Sequence, residues 1–247
     1  PDSPESKHKE NIIKTLETDY GIKVHKVLSE VGKLRKADLQ GKESSWGFGT
    51  MRLGYTLEIL PFAEYFDADY IFLGNEYDCD EYAYDSEGFK SSFSYDQRSD
   101  WTKQMDVVVR MMTSGNTTVG SLVGPLYELG LLKVLHKRYP ALARLQMSCF
   151  SDNEEGKDHI WCCNCSKCAW VYAMLKGIGV DTEGIGFHKD MFSKEFKKLY
   201  SIFECQDTNE FVYDPHGLGK EEQALAFYMA AKNGETGALI DQFKELP

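Results

Sequence analysis

Two periods organise the apolar residues of this chain. Between 6 and 19, Ile12, Ile13 and Leu16 fall at helical spacing in a charged stretch, which predicts a helix. Residues 21–28 alternate apolar and polar and predict a strand. A glycine-rich loop at 47–49 leads into a predicted helix over 50–66, and the apolar run Tyr70–Leu73, ending at Gly74, predicts a buried strand. Residues 77–97 are rich in Asp, Tyr, Ser and Gly and have no period, so they predict a long loop. Helices are expected at 99–112 and 119–138, a short strand at 145–150, and helices at 166–177, 189–201, 219–231 and 235–245. Helix alternating with strand is the pattern of an α/β fold on a parallel sheet. The expected division is an α/β region over 1–144 and a helical C-terminal region over 145–247.

Chemistry concentrates in one place. Of seven cysteines, five fall between 149 and 168. Cys162, Cys165 and Cys168 form a C-x2-C-x2-C array, and Cys149 adds a fourth thiol. Four thiolates are what a tetrahedral structural zinc takes. Disulfides fit poorly, because three thiols two residues apart cannot all find partners in good geometry. A redox C-x-x-C fits three interlocked cysteines no better. Cys163 lies inside the array as a bystander or a replacement for Cys162. The expected Zn–S distance is near 2.3 Å. The polar first residues show no secretory signal, so a cytoplasmic, reducing location is expected.

Charge narrows the partners. The net charge is −11, and no basic patch exceeds a few residues, which argues against nucleic acid. No apolar run is long enough to span a bilayer. In an open parallel sheet, ligands bind beyond the carboxyl ends of the strands. Gly74, Asn75 and Glu76 sit at such an end: glycine admits close approach, Asn donates and accepts, and Glu can hold a metal ion or a proton. The acids Asp78, Asp80, Glu81, Asp85 and Glu87 lack the calcium-loop pattern and read as a solvated loop. Two segments flank the expected pocket mouth, one carrying Gln97, Arg98 and Ser99, the other Ser121 at an expected helix start. A helix N-terminus with an arginine nearby suits a small carboxylate substrate.

G-N-E at 74–76, P-L-Y-E at 125–128, S-C at 148–149 and W-C-C-N-C-S-K-C at 161–168, in this order, resemble the signature of N-type ATP pyrophosphatases with a cysteine zinc knot. Two branches are close: the UDP-N-acetylmuramoyl-L-alanyl-L-glutamate epimerases and the 7-cyano-7-deazaguanine synthases. Phe203-Glu204-Cys205 and Lys167 favour the first. The chain departs from its pattern at Tyr77-Asp78-Cys79-Asp80, where Arg-Ser-Ala-Asn is usual, and at Asp96. The resemblance implies an adenine-nucleotide hydrolase-like sheet, ATP and Mg2+ held at Gly74, Asn75 and Glu76, and catalytic roles for Glu76 and Glu128. It implies activation of an amino-acid or peptidyl carboxylate as an acyl-adenylate, followed by epimerisation. A deazapurine acid, amidated and taken to a nitrile, is the alternative, with Tyr77, Phe93 and Trp101 available to stack on its ring. The S-G-G-x-D-S phosphate loop of these families is expected before residue 1. It is then supplied by preceding sequence or another chain, or nucleotide chemistry is lost and the chain is a zinc-stabilised interaction module. Homo-oligomerisation is left open.

Overall fold

The computed structural model describes residues 4–29, 51–92, 95–149, 159–203 and 219–246. The expected loop at 47–49, Phe93 and Glu204-Cys205 lie outside these residues. The chain divides into two compact units: His25–Glu128, and Pro1–Val24 with Leu129–Pro247. Helix α1 (Pro4–Tyr20) therefore belongs to the second unit, whereas the sequence pattern groups it with the α/β region.

In the His25–Glu128 unit, helix α2 (Met51–Tyr65) precedes strand β1 (Tyr70–Phe72). A 3-10 turn (Tyr77–Asp80), the antiparallel hairpin of β2 (Ala83–Tyr84) and β3 (Lys90–Ser91), and a second 3-10 turn (Tyr95–Gln97) follow. The expected 77–97 loop thus has its own short structure. Helix α3 (Ser99–Met112) then crosses over to strand β4 (Thr118–Gly120), which pairs parallel to β1 with Ile71 opposite Val119. Thr102, Met105 and Val109 recur on one side of α3 and are buried, as an amphipathic helix requires. Asp106 on α3 accepts the Val119 N–H at 2.8 Å, giving β4 a side-chain partner for its main chain. Among the described residues the core of this unit is Leu60, Ala63, Ile71, Met105, Val109 and Val119. β1 was expected to be buried throughout. Only Ile71 is; Tyr70 and Phe72 are 59% and 51% exposed, their rings stacked with centroids 5.4 Å apart. The parallel sheet among the described residues has two strands.

The 119–138 helix also requires correction. Residues 118–120 are β4, a turn follows, and helix α4 starts only at Glu128 (Glu128–Arg138). Pro125 accounts for the delay: it lacks an N–H and disfavours helical backbone at the residue before it.

The larger unit is helical. With α1 and α4 it contains α5 (Pro140–Ala143), α6 (Ser166–Gly177), α7 (Lys220–Lys232) and α8 (Ala238–Lys244). Ten residues of α6 are buried, apolar ones on every side, which makes it the central helix. It lies so close to α7 that a Cβ on Gly177 would stand 2.8 Å from the Ala226 carbonyl oxygen. Gly219, before α7, has φ +77°, and a Cβ there would fall 1.9 Å from the Trp170 indole. Phe227 is fully buried among Phe192, Tyr200, Phe203 and Phe243. Glu222 of α7 reaches the start of α4 and accepts the Leu129 N–H at 2.7 Å, satisfying a terminal donor.

Three expected elements take other forms. Residues 21–29 and 145–149 run without regular structure, so neither expected strand forms among them. Their alternation is real, yet a strand exists only with a partner to bond. The expected 189–201 helix is two 3-10 segments, Lys194–Leu199 and Ser201–Phe203, after an irregular 189–193. There the Asp190 carboxylate takes the Phe192 N–H, and the Tyr200 hydroxyl donates to the Met191 carbonyl, so local side-chain bonds replace helical ones. No helix among the described residues is long and apolar enough to cross a membrane.

Candidate functional site

The cysteine site lies wholly in the helical unit. Cys162 and Cys165 sit in the turn before α6, Cys165 caps that helix, and Cys168 lies in its first turn. The Cys168 N–H points at the Cys165 sulfur (3.4 Å), and the Asn164 N–H at the Cys162 sulfur (3.4 Å). These bonds favour thiolates, which accept and do not donate. Cys149 arrives from the irregular 145–149 segment, and all four sulfurs lie within 4.8 Å of one another. Cys162 and Cys168 are 3.7 Å apart at sulfur. A tetrahedron with Zn–S near 2.3 Å has edges of about 3.8 Å, whereas a disulfide needs about 2.05 Å. The four cysteines are therefore at metal-binding distance, in an arrangement compatible with zinc.

Electrostatics agree with that geometry. Hydrogen bonds from Cys149, Cys162 and Cys168 hold the Cys165 thiol far below its ordinary range. Its bond with Cys162 lowers Cys149 to about 7. Cys168 and Cys162 are pushed well up, because they share protons with thiolates already formed. Four sulfurs this close cannot all ionise alone, and a divalent cation removes the conflict. Cys163 points elsewhere: its sulfur is 3.6 Å from His188 Nδ1, its φ is +50°, and it is outside the four-sulfur group. Lys167, between two of the ligands, is buried.

A second cluster lies in the His25–Glu128 unit. Beyond the carboxyl end of β1, the Tyr77 N–H donates to the Leu126 carbonyl (2.9 Å), and the Tyr77 ring packs on Tyr127 at 4.7 Å. The Ser121 hydroxyl donates to the Asn75 carbonyl at 2.7 Å. These contacts draw two distant segments together. Carboxylate oxygens of Glu76, Asp78 and Glu128 then lie within 4.8 Å of one another, each side chain half-buried. Three carboxylates at that range could hold a metal ion. Sequence reasoning selected Glu76 and Glu128 and passed over Asp78. The signal available was the E-x-D spacing at a strand end, which a 3-10 turn folds onto one side.

The other expected residues are placed as follows. Asn75 is 4% exposed; its Nδ2 donates to Thr102 Oγ1, which itself donates to the Arg98 carbonyl. Its Oδ1 has no hydrogen-bond partner. A Cβ on Gly74 would meet nothing within 4 Å, so the backbone there is open to approach. The Arg98 guanidinium donates to the Asp80 carbonyl and pairs with Asp100. Gln97 accepts from Arg52, and the Ser99 N–H donates to Asp80 at the start of α3. Ser121 lies in the turn after β4, not at a helix N-terminus. Trp101 packs on Tyr95, with ring centroids 5.4 Å apart. Cys79 lies beside Glu76 and Asp78, and burial first, then those charges, pushes its thiol up to about 12. No family model, no curated protein and no solved structure matches this chain.

Proposed function

We propose that this chain carries a structural zinc on Cys149, Cys162, Cys165 and Cys168 and takes part in Mg-ATP-dependent activation of a small carboxylate, an amino-acid or peptidyl acid first. The observation that carries the reading is the meeting of Glu76, Asp78 and Glu128 beyond a parallel strand, two of them selected for this chemistry beforehand. In this reading the three carboxylates hold Mg2+, which offsets phosphate charge. The open backbone at Gly74 faces the nucleotide. ATP supplies the leaving group: the substrate carboxylate attacks the α-phosphorus, and the bond to pyrophosphate breaks. In the epimerase form, the resulting acyl-adenylate, a mixed anhydride, acidifies the neighbouring Cα–H. In the deazapurine form, ammonia attacks it instead.

The test is pyrophosphate release by the full-length protein, given Mg-ATP and each acid, in deuterated water with labelled ammonia. Deuterium at Cα without nitrogen uptake is the expected result, and Glu76→Gln abolishes turnover at unchanged melting temperature. Wild-type turnover by that variant, or nitrogen entering a ring acid, overturns the epimerase reading. The second reading is a non-catalytic interaction module. It is favoured by the exposed rings of Tyr70 and Phe72, and a chain that releases no pyrophosphate with any acid would support it.

A further inference from the structure

Helix α2 carries more apolar surface than its own unit covers. Its buried residues, Thr56, Leu60 and Ala63, form one stripe at helical spacing. A second stripe, Tyr55, Ile59, Phe62 and Phe66, recurs at i, i+4, i+7 and i+11 and lies about 100° round the helix axis from the first. Phe66 belongs to it because its N–H still bonds the Phe62 carbonyl, at 2.9 Å. All four side chains are 42–47% exposed, so the stripe is an open face and not a second core. Met51 extends it one turn earlier, its sulfur 3.8 Å from the Tyr55 hydroxyl. A helix that is apolar beyond its core-facing side is one that meets protein there.

The spacing identifies what meets it. Tyr55 and Phe62 stand equally far from a point between residues 58 and 59, and so do Met51 and Phe66. Two copies of α2 laid antiparallel about that point bring Ile59 beside Ile59, each Tyr55 onto Phe62 of the other copy, and each Met51 onto its Phe66. The stripe fits itself in reverse, as the interface of a twofold dimer must. Charge allows the match: the stripe holds no Asp, Glu, Lys or Arg, whereas the chain carries a net −11 that opposes association elsewhere. Area sets its strength. With about 200 Å² on a fully exposed large side chain, the four leave roughly 350 Å² open. That is the apolar centre of a small interface, about 600 Å² per partner once polar flanks are counted.

We propose that α2 is the interface of a weak symmetric dimer, in which it pairs antiparallel with α2 of a second copy through Tyr55, Ile59 and Phe62. The stripe shares no residue with the cysteine or carboxylate clusters, so the proposal does not depend on the activation reading.

Sedimentation equilibrium of the zinc-loaded full-length protein over roughly 1–200 μM, the range a small interface reaches, tests it. The expected result is a monomer–dimer equilibrium that added salt strengthens, because salt screens the net charge. Ile59→Glu and Ile59→Lys each weaken association about tenfold or more, since like charges then meet at the centre of the interface. An equimolar mixture of the two variants associates again, with opposite charges at the axis, which a misfolded variant would not do. Tyr70→Ser, on the exposed face of the sheet, leaves the equilibrium unchanged. A protein that stays monomeric throughout, association that survives Ile59→Glu, a mixture that stays monomeric, or loss of association in Tyr70→Ser would each overturn the proposal.

Discussion

The two units are built on opposite plans. The helical one wraps an almost wholly buried helix, α6, in aromatic side chains and gathers four cysteines at its start. The described residues of the His25–Glu128 unit give six buried apolar core residues and a two-stranded parallel sheet, with Tyr70 and Phe72 turned outward. Parallel sheets are normally covered on both faces, and two strands alone are marginal. Local chemistry substitutes for core volume there: Asp106 bonds the edge strand, Asp80 bonds the first turn of α3, and Arg98 ties that helix to the preceding turn. One unit is specified by packing and a knot of four cysteines, the other by side-chain bonds to its backbone. The carboxylate cluster lies in the second, the kind of place where local opening is easiest.

Removing the knot breaks the comparison most sharply. Cys165→Ser, or chelation of the metal, is expected to destabilise the helical unit by on the order of 5 kcal/mol or more, since binding energy at a structural site is folding energy. Hydrogen exchange checks it: amides of α6 and α7 lose protection, while those of α3 change little. Metal analysis accompanies it, and less than about half an equivalent of zinc on wild-type protein would sink the assignment.

Truncating the cores compares packing directly. Phe227→Ala removes a fully buried ring with four aromatic neighbours and should cost about 3–5 kcal/mol. Met105→Ala, in the thin core, should cost about 2 kcal/mol, the low end for its type, because so few neighbours surround the gap. Denaturant unfolding of the two variants gives the ranking, and a larger loss for Met105→Ala would reverse it.

The smallest effect is alkaline. Burial raises Tyr200 well above its ordinary 10.0 and raises Tyr172 as well. A raised folded pKa means that stability is complete below the unfolded value and declines as pH climbs above it. Burial also raises the Cys163 thiol from its ordinary 9.0, so the helical unit should begin to weaken above pH 9.0 and lose more as the tyrosines ionise above 10.0. In the other unit, Cys79 is raised from 9.0 to about 12, so its decline also starts above pH 9.0. Melting curves across that range, resolved by thiol alkylation and by tyrosinate absorbance, should show the thiol onset before the tyrosine onset.

What could be read from sequence follows the same contrast. The cysteine cluster was legible because it is local: three of its four members lie within seven residues, and their spacing brings the sulfurs together in one turn. Helices α1, α6 and α7 were legible within a few residues from their apolar pattern. β4 was missed because T-V-G is too short to signal a strand, and its partner, Ile71, lies far away in the chain. The segment at 145–150 signalled a strand through alternation that no partner completes among the described residues. The meeting of Glu76 and Glu128 depends on Tyr77 bonding to Leu126, a tertiary contact, and Asp78 joins them only because the turn is 3-10. The boundary between units fell where α1 rejoins the C-terminal helices, with His8 hydrogen-bonded to the Leu145 carbonyl.

Gly219 and Trp170 have a bearing on ancestry. Any side chain at 219 would enter the space of the indole, and the left-handed backbone there excludes most residues a second time. The two positions cannot drift independently. A saturation library at 219 should return glycine alone while tryptophan remains at 170, and other residues only where 170 has become smaller. Distant kin of this chain would carry the same linked choice, so the pair can mark descent after the rest of the sequence has diverged.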